Sequence, residues 1–235
     1  MSSAVLVQTK TLENNVNPSS VALTFTSTTK QGNFIFVGAT TDTASTTAVS
    51  AISDNFGNVY TKIAGTIAGT GSIHRWYAKN IVGGASHAVT LTLTGTPDIN
   101  VIVAEYSGVD RGSPLDVSAV ATGSSTAVSS GATLVTAFRN SLVIGLGGDT
   151  NGSGATITVG AGFGDFIQLT TTVSFFNLYF EDKFITSPAA QTATFTEGAA
   201  PTTSGCSVDV FKVANAAKFK NSGLRPHPFS PGLAR

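Results

Sequence analysis

Cysteine, methionine and tryptophan each occur once in this chain of 235 residues. The lone Cys206 excludes an intrachain disulfide framework and any zinc site built from several thiolates. On a strand shared with Val208 and Val210 it reads as a small buried hydrophobe. Charge is also scarce. Only 11% of residues are Asp, Glu, Lys or Arg, against about 25% in ordinary domains. The 13 cations and 13 anions cancel, so no global field draws the chain to nucleic acid or an anionic membrane. No apolar run reaches the roughly 18 residues of a membrane-crossing helix. The N-terminal Met-Ser-Ser-Ala-Val-Leu-Val-Gln-Thr lacks a basic segment followed by a long apolar run. The expectation is therefore synthesis in the cytoplasm without a signal peptide. No window of 11 or more residues carries the period of an amphipathic helix.

What is present is β pattern. Ile99 to Tyr106 is apolar on both faces, with Val101 and Val103 on one side and Ile102 and Ala104 on the other. Such a strand belongs in a sheet covered on both sides. Val89, Leu91 and Leu93 alternate strictly with Thr90, Thr92 and Thr94, so that strand has one wet face. Further strands are expected at Val5–Gln8, Val21–Thr26, Asn33–Gly38, Val49–Ile52, Val59–Ile63 and Ile73–Ala78. Leu115–Ala121 reads as an edge strand. Later strands are expected at Ser141–Leu146, Ala155–Val159, Phe163–Leu169, Val173–Phe184, Gln191–Thr196 and Cys206–Val213. Gly65–Gly71 and Gly147–Gly154 read as loops or turns, and the low-complexity Thr122–Gly131 as an exposed loop or a poorly patterned strand. Short strands separated by Gly, Asn and Asp turns predict an all-β, jelly-roll-like antiparallel sandwich. With nothing resembling a linker inside it, the sandwich domain is expected over residues 1–213.

Residues 214–235 break the pattern. Pro226, Pro228 and Pro231 forbid helix and sheet interior. Leu224, Phe229 and Leu233 are spaced apolar groups on a stiff backbone, and Arg225 and Arg235 are basic. The segment reads as an extended Pro-rich arm that docks on a neighbour, with a disordered, solvated tail as the alternative. Its partner-binding residues would be Leu224, Arg225, Pro226, Phe229, Pro231, Leu233 and Arg235, with spaced anchors fitting pockets on a neighbour.

Chemistry is sparse. Asp54-Asn55-Phe56-Gly57-Asn58 offers oxygen ligands but lacks the downstream Glu of a calcium loop, so it reads as a tight turn. Gly145–Asp149 and Gly160–Gly164 precede neither Lys-Ser/Thr nor a helix, so they read as hairpin turns rather than phosphate loops. His74, His87 and His227 are too scattered for a metal triad. Glu105, Asp110 and Asp116 are the acids a hydrolase would draw on. Tyr60, Trp76 and Tyr77 could stack on a sugar ring, though such residues more often fill a core. No catalytic, cofactor or metal residues are assigned.

Asp54-x-x-Gly57-Asn58-x-Tyr60, then Trp76-Tyr77-Ala78-Lys79-Asn80, then Glu105-Tyr106-Ser107-Gly108-Val109 and Pro114-Leu115-Asp116 together resemble a group of β-sandwich proteins of bacteriophage and bacterial genomes. These are often virion or surface proteins. The resemblance runs from about residue 50 to residue 215, and the Pro-rich end resembles the terminal arm of a phage structural protein. It implies a non-enzymatic virion component, most simply a capsid decoration or cement protein, otherwise a tail or fibre part. Its partners would be copies of itself, a homotrimer included, and other virion proteins such as the major capsid protein. Neither nucleic acid nor membrane is expected as a partner. The alternative is a carbohydrate-binding module that takes a host glycan on Tyr60, Trp76 or Tyr77. A third reading is a hydrolase using the scarce carboxylates.

Overall fold

A computed structural model describes residues 3–14, 16–150, 156–169 and 176–214. The seven expected arm residues, Leu224 to Arg235, lie outside them, as does the Gly-rich segment 151–155. Among the described residues there are sixteen strands and no helix, hence none able to cross a membrane. The first eight strands are β1 (Val5–Asn14), β2 (Ser20–Thr24), β3 (Phe34–Thr41), β4 (Val49–Asp54), β5 (Tyr60–Ala68), β6 (Gly71–Ala78), β7 (Ala88–Leu93) and β8 (Ile99–Ser107). The second eight are β9 (Leu115–Gly123), β10 (Ala127–Ser129), β11 (Ser141–Asp149), β12 (Ile157–Thr158), β13 (Gly164–Leu169), β14 (Leu178–Ile185), β15 (Thr194–Glu197) and β16 (Ser204–Lys212).

The second set repeats the topology of the first. A five-stranded sheet ordered β1-β8-β3-β6-β5 and a three-stranded sheet ordered β2-β7-β4 form the first half. Adding eight to each strand number reproduces the other two sheets, β9-β16-β11-β14-β13 and β10-β15-β12. All pairings are antiparallel. Each half has the interleaved order of a jelly roll, with its fifth strand joined to the larger sheet. The fold is thus a sandwich of antiparallel sheets, as its strand pattern predicts, but the sandwich is doubled.

The two large sheets pack face to face. Phe34 and Phe36 of β3, Ile73 and Tyr77 of β6, and Ile102, Ala104 and Tyr106 of β8 meet Leu142, Ile144 and Leu146 of β11, Phe180 of β14 and Phe211 of β16 in one apolar cluster. Each large sheet carries its small sheet on the other side. Ile35, Val37, Val101 and Val103 pack under Val21, Leu23, Val89 and Leu91. Val143, Tyr179, Val208 and Val210 pack under Val128 and Phe195. Four layers result. This is why β3 and β11 are buried at every position while β7 alternates.

Two polar links cross the middle. Arg75 Nη1 of β6 lies 2.6 Å from Asp209 Oδ1 of β16, with both side chains sealed. Tyr106 of β8 donates its hydroxyl to Asp182 Oδ2 of β14 at 2.5 Å. Exchanging the halves carries β6 onto β14 and β16 onto β8, so the two links join equivalent pairs of strands. The ends of the halves also join: Val109 bridges Val213, Asp110 N donates to Lys212 O, and Ala214 N donates to Gly108 O.

The larger departures from the strand pattern involve glycine. Gly147 and Gly148 are strand residues rather than turn residues, because β11 runs on to Asp149. Cβ atoms there would lie 2.8 Å from Phe195 Cδ2 and 2.6 Å from Asn177 O, so covering groups descend onto bare backbone. Likewise β5 continues through Gly65 to Ala68. The Ser/Thr run 122–131, readable as loop or strand, contains the short strand β10. Gly38, central in β3, faces the other half: a Cβ would stand 2.8 Å from Leu146 Cδ1 and 3.2 Å from Ile102 Cγ2. Gly38→Ala should therefore cost about 1–3 kcal/mol by overpacking, outweighing the entropy alanine saves. Thermal unfolding checks this, and a raised Tm would show that the seam has slack.

Candidate functional site

The acids singled out in the sequence are tied into structure. Glu105 is fully buried and accepts from Gln8 Nε2 at 2.7 Å, Lys30 N at 2.9 Å and Asn33 Nδ2 at 2.7 Å. Asp110 Oδ1 accepts from Gly112 N and Ser113 N in a local turn. Asp116 Oδ2 accepts from Ala137 N. The three hold separate segments and converge on no common cleft.

The Asp54 turn is the centre of a larger network. Asp54 Oδ1 accepts from Phe56 N and Asn58 N, both at 3.0 Å. Oδ2 receives Asn58 Nδ2 at 2.9 Å and Tyr60 OH at 3.0 Å, and stands 2.9 Å from His87 Nε2. Burial alone would raise the carboxyl's pKa, but these donors outweigh it and hold Asp54 below the ordinary value. With both oxygens engaged, the segment is a structural turn rather than a calcium loop. His87 Nδ1 lies 2.8 Å from Thr29 Oγ1, which completes a carboxylate–imidazole–hydroxyl chain. Its hydroxyl, however, is buried and also accepts from Gly84 N, so no substrate reaches it.

The three aromatics are spread through the fold rather than gathered on one exposed face. Tyr60 is buried with its hydroxyl spent on Asp54. Tyr77 is buried between the large sheets and stacks on Phe34 at 5.7 Å. Trp76, its strand neighbour, points to the opposite face by the strand's period of two. It packs half-buried against the first core under Lys62 Nζ, 5.5 Å from its ring centre.

One cleft does gather titratable groups. It has a volume of about 260 Å³ and lies at the rim between the large sheets, lined by Leu6, Tyr106, Leu142, Asp165, Asp182 and Phe184 among others. Asp182 is buried and Asp165 exposed. Asp165 takes a left-handed φ of 43° at the β13 bulge, which lies opposite Asp182's strand. Burial first, then the neighbouring Asp165, raises Asp182 to about 6 despite the Tyr106 hydrogen bond. Burial and then Asp182 push the Tyr106 phenol well above its usual range. Chemically Asp182 is a carboxyl able to hold its proton close to neutrality beside a second acid. Its sequence signal is the charged run Glu181-Asp182-Lys183 inside an otherwise apolar strand. Among the described residues no three Asp, Glu, His or Cys side chains gather as a metal site.

Scans against protein-family models, curated proteins and solved structures returned no match. Function must therefore be read from the surface that the fold leaves open. Among the described residues the outermost strands of the large sheets, β1 and β5 in one and β9 and β13 in the other, have a sheet neighbour on one side only. Apolar side chains stand exposed on three of them: Val5 and Val7 on β1, Ile67 on β5 and Val120 on β9.

Proposed function

We propose that the protein is a non-enzymatic structural component of a larger particle, of the bacteriophage virion kind. Within that class it acts as a decoration or cement protein that clamps neighbouring subunits. The observation carrying this reading is the set of four edge strands that have one sheet neighbour each among the described residues, an arrangement that lets another chain meet the sheet edge. The low charge supports it, since a surface poor in ions is inexpensive to desolvate against a neighbour. The structural use of Glu105, Asp110 and Asp116 supports it too, as it removes the carboxylates a hydrolase would draw on. Partners would be further copies of the chain and other shell proteins. The proline-stiffened residues Leu224 to Arg235 would act as fastener. A specific contact of this kind needs about 1,600 Å² of buried surface.

The test is co-sedimentation of the full chain with particles, alongside its solution mass. The expected result is particle attachment or a defined multimer. A chain ending at Ala214 should lose attachment and keep its unfolding transition. A chain that stays monomeric at high concentration and never attaches would overturn the reading, as would hydrolytic turnover lost in Asp182→Asn.

A further inference from the structure

The rim cleft between the large sheets holds acid charge that the described residues leave unanswered. Asp165 and Asp182 both line it, and Asp165 lies within hydrogen-bonding reach of Asp182, so the two carboxyls face one position. Among the described residues the ion pairs are Arg75–Asp209 and His87–Asp54, so no described cation pairs with either acid. Lys183 is on the wall too, but its Nζ stands over the Phe163 ring, 4.0 Å from the ring centre. Asp182 is buried, and two carboxyls this close repel once both are ionised. Apolar groups complete the wall: Leu142 is buried, Leu6 half-buried and Phe184 exposed. The volume of about 260 Å³ falls below the roughly 300–1,000 Å³ of sites that take a whole small molecule. It suits a single long side chain with a cationic head and an apolar stem.

The chain supplies such a group close by. The described residues end at Ala214, whose N–H donates to Gly108 O. Gly108 packs against Ser3 O, and the next residue, Ala4, is on the cleft wall. Residues 215–235 hold Lys218, Lys220, Arg225 and Arg235 and no Asp or Glu. Arg225 stands between Leu224 and Pro226. A guanidinium grips carboxylates with two parallel hydrogen bonds, where an ammonium acts as a point charge. An extended stretch from Ala214 to Arg225 reaches up to about 36 Å, so Arg225 arrives with slack. Tethered so near, it meets the cleft at an effective concentration of the order of 1 mM, far above that of a second copy in dilute solution.

We propose that in the isolated chain the C-terminal segment docks in the rim cleft of the same molecule, with the Arg225 guanidinium between Asp165 and Asp182 and Leu224 against the apolar wall of Leu6 and Phe184. The proposal rests on reading residues 224–235 as a docking segment but needs no particle. Its failure therefore leaves attachment to a neighbour to be decided by co-sedimentation.

The experiment is NMR relaxation of the backbone amides in the full chain, read as order parameters. The amides of Leu224, Arg225, His227 and Phe229 should show values of about 0.85, as rigid backbone does, unchanged on dilution. Arg225→Ala and Asp165→Asn should each drop them below about 0.6. Neither change threatens the fold. Asp165 is exposed and its left-handed backbone suits asparagine, and Arg225 lies beyond the last strand. Glu13→Gln, which alters an exposed acid at the far end of β1, should leave the order intact. Wild-type values below about 0.6 would overturn the proposal. Order that grows with protein concentration would overturn it too, because the segment would then sit on a second copy, and so would order that survives Asp165→Asn.

Discussion

Asp209→Ala should destabilise the protein by about 3–5 kcal/mol, the usual cost of removing one member of a buried ion pair. The Arg75 guanidinium is 1% exposed between the large sheets, and its Nε already lacks a partner. Deleting Asp209 strands a full charge in the seam, next to the aromatic cluster around Phe211. The loss should appear as a lowered urea midpoint with an unchanged slope. Replacing both partners, Arg75→Met with Asp209→Leu, should recover most of it, because the penalty comes from the unpaired ion rather than from the missing bridge. A loss under about 1 kcal/mol for Asp209→Ala would mean that water enters the seam and solvates Arg75.

Glu181→Gln should change how stability responds to pH. Glu181 is fully buried beneath the second small sheet and accepts from Gly160 N at 2.8 Å. Burial raises its carboxyl from 4.5 to about 7, against the lowering effects of the Gly160 and Thr194 backbone and Lys183. Between those two values the folded chain holds a proton that the unfolded chain has released, so stability falls as pH rises through the window. The shift corresponds to about 3 kcal/mol. Asp182, raised from 3.8 to about 6, acts in the same direction. His74 acts in the opposite one. Burial and then Lys62 lower it to about 4, so the folded chain refuses a proton that the unfolded chain takes up below its ordinary 6.5. The clean readout is therefore the difference between Glu181→Gln and wild type. Measured by urea unfolding at pH 4.5 and pH 8 (bracketing the window), it should move in the variant's favour by about 3 kcal/mol. A difference independent of pH would show that Glu181 ionises freely in the folded state.

Strand character was legible from residue type alone. Ile99–Tyr106, apolar on both sides, does lie in a sheet covered twice, and Val89, Leu91 and Leu93 do face inward beneath a wet surface. Leu115–Ala121 does form an edge, in β9. Doubling was not legible, because the halves share topology rather than residues. Where β6 presents Arg75 to the seam, its counterpart β14 presents Asp182, so equivalent strands carry unlike side chains and the sequence shows no repeat. Gly147 and Gly148 misled because glycine marks both turns and places where packing comes close to backbone. The candidate sites were hidden for a related reason. Tyr106 and Asp182, which meet in the rim cleft, are 76 residues apart, and only the packing of the large sheets brings them together.

Gly108 gives the fold one further property. Its left-handed φ of 80° and bare Cα admit the carbonyl of Ser3, which would lie 2.3 Å from any Cβ there, while its own carbonyl accepts from Ala214 N. Entry and exit of the described chain therefore abut a single residue, like two wires brought to one terminal. Cargo spliced to either side of the sandwich would be delivered to the same spot, and the whole unit could be inserted into a surface loop of a host protein without prising that loop apart.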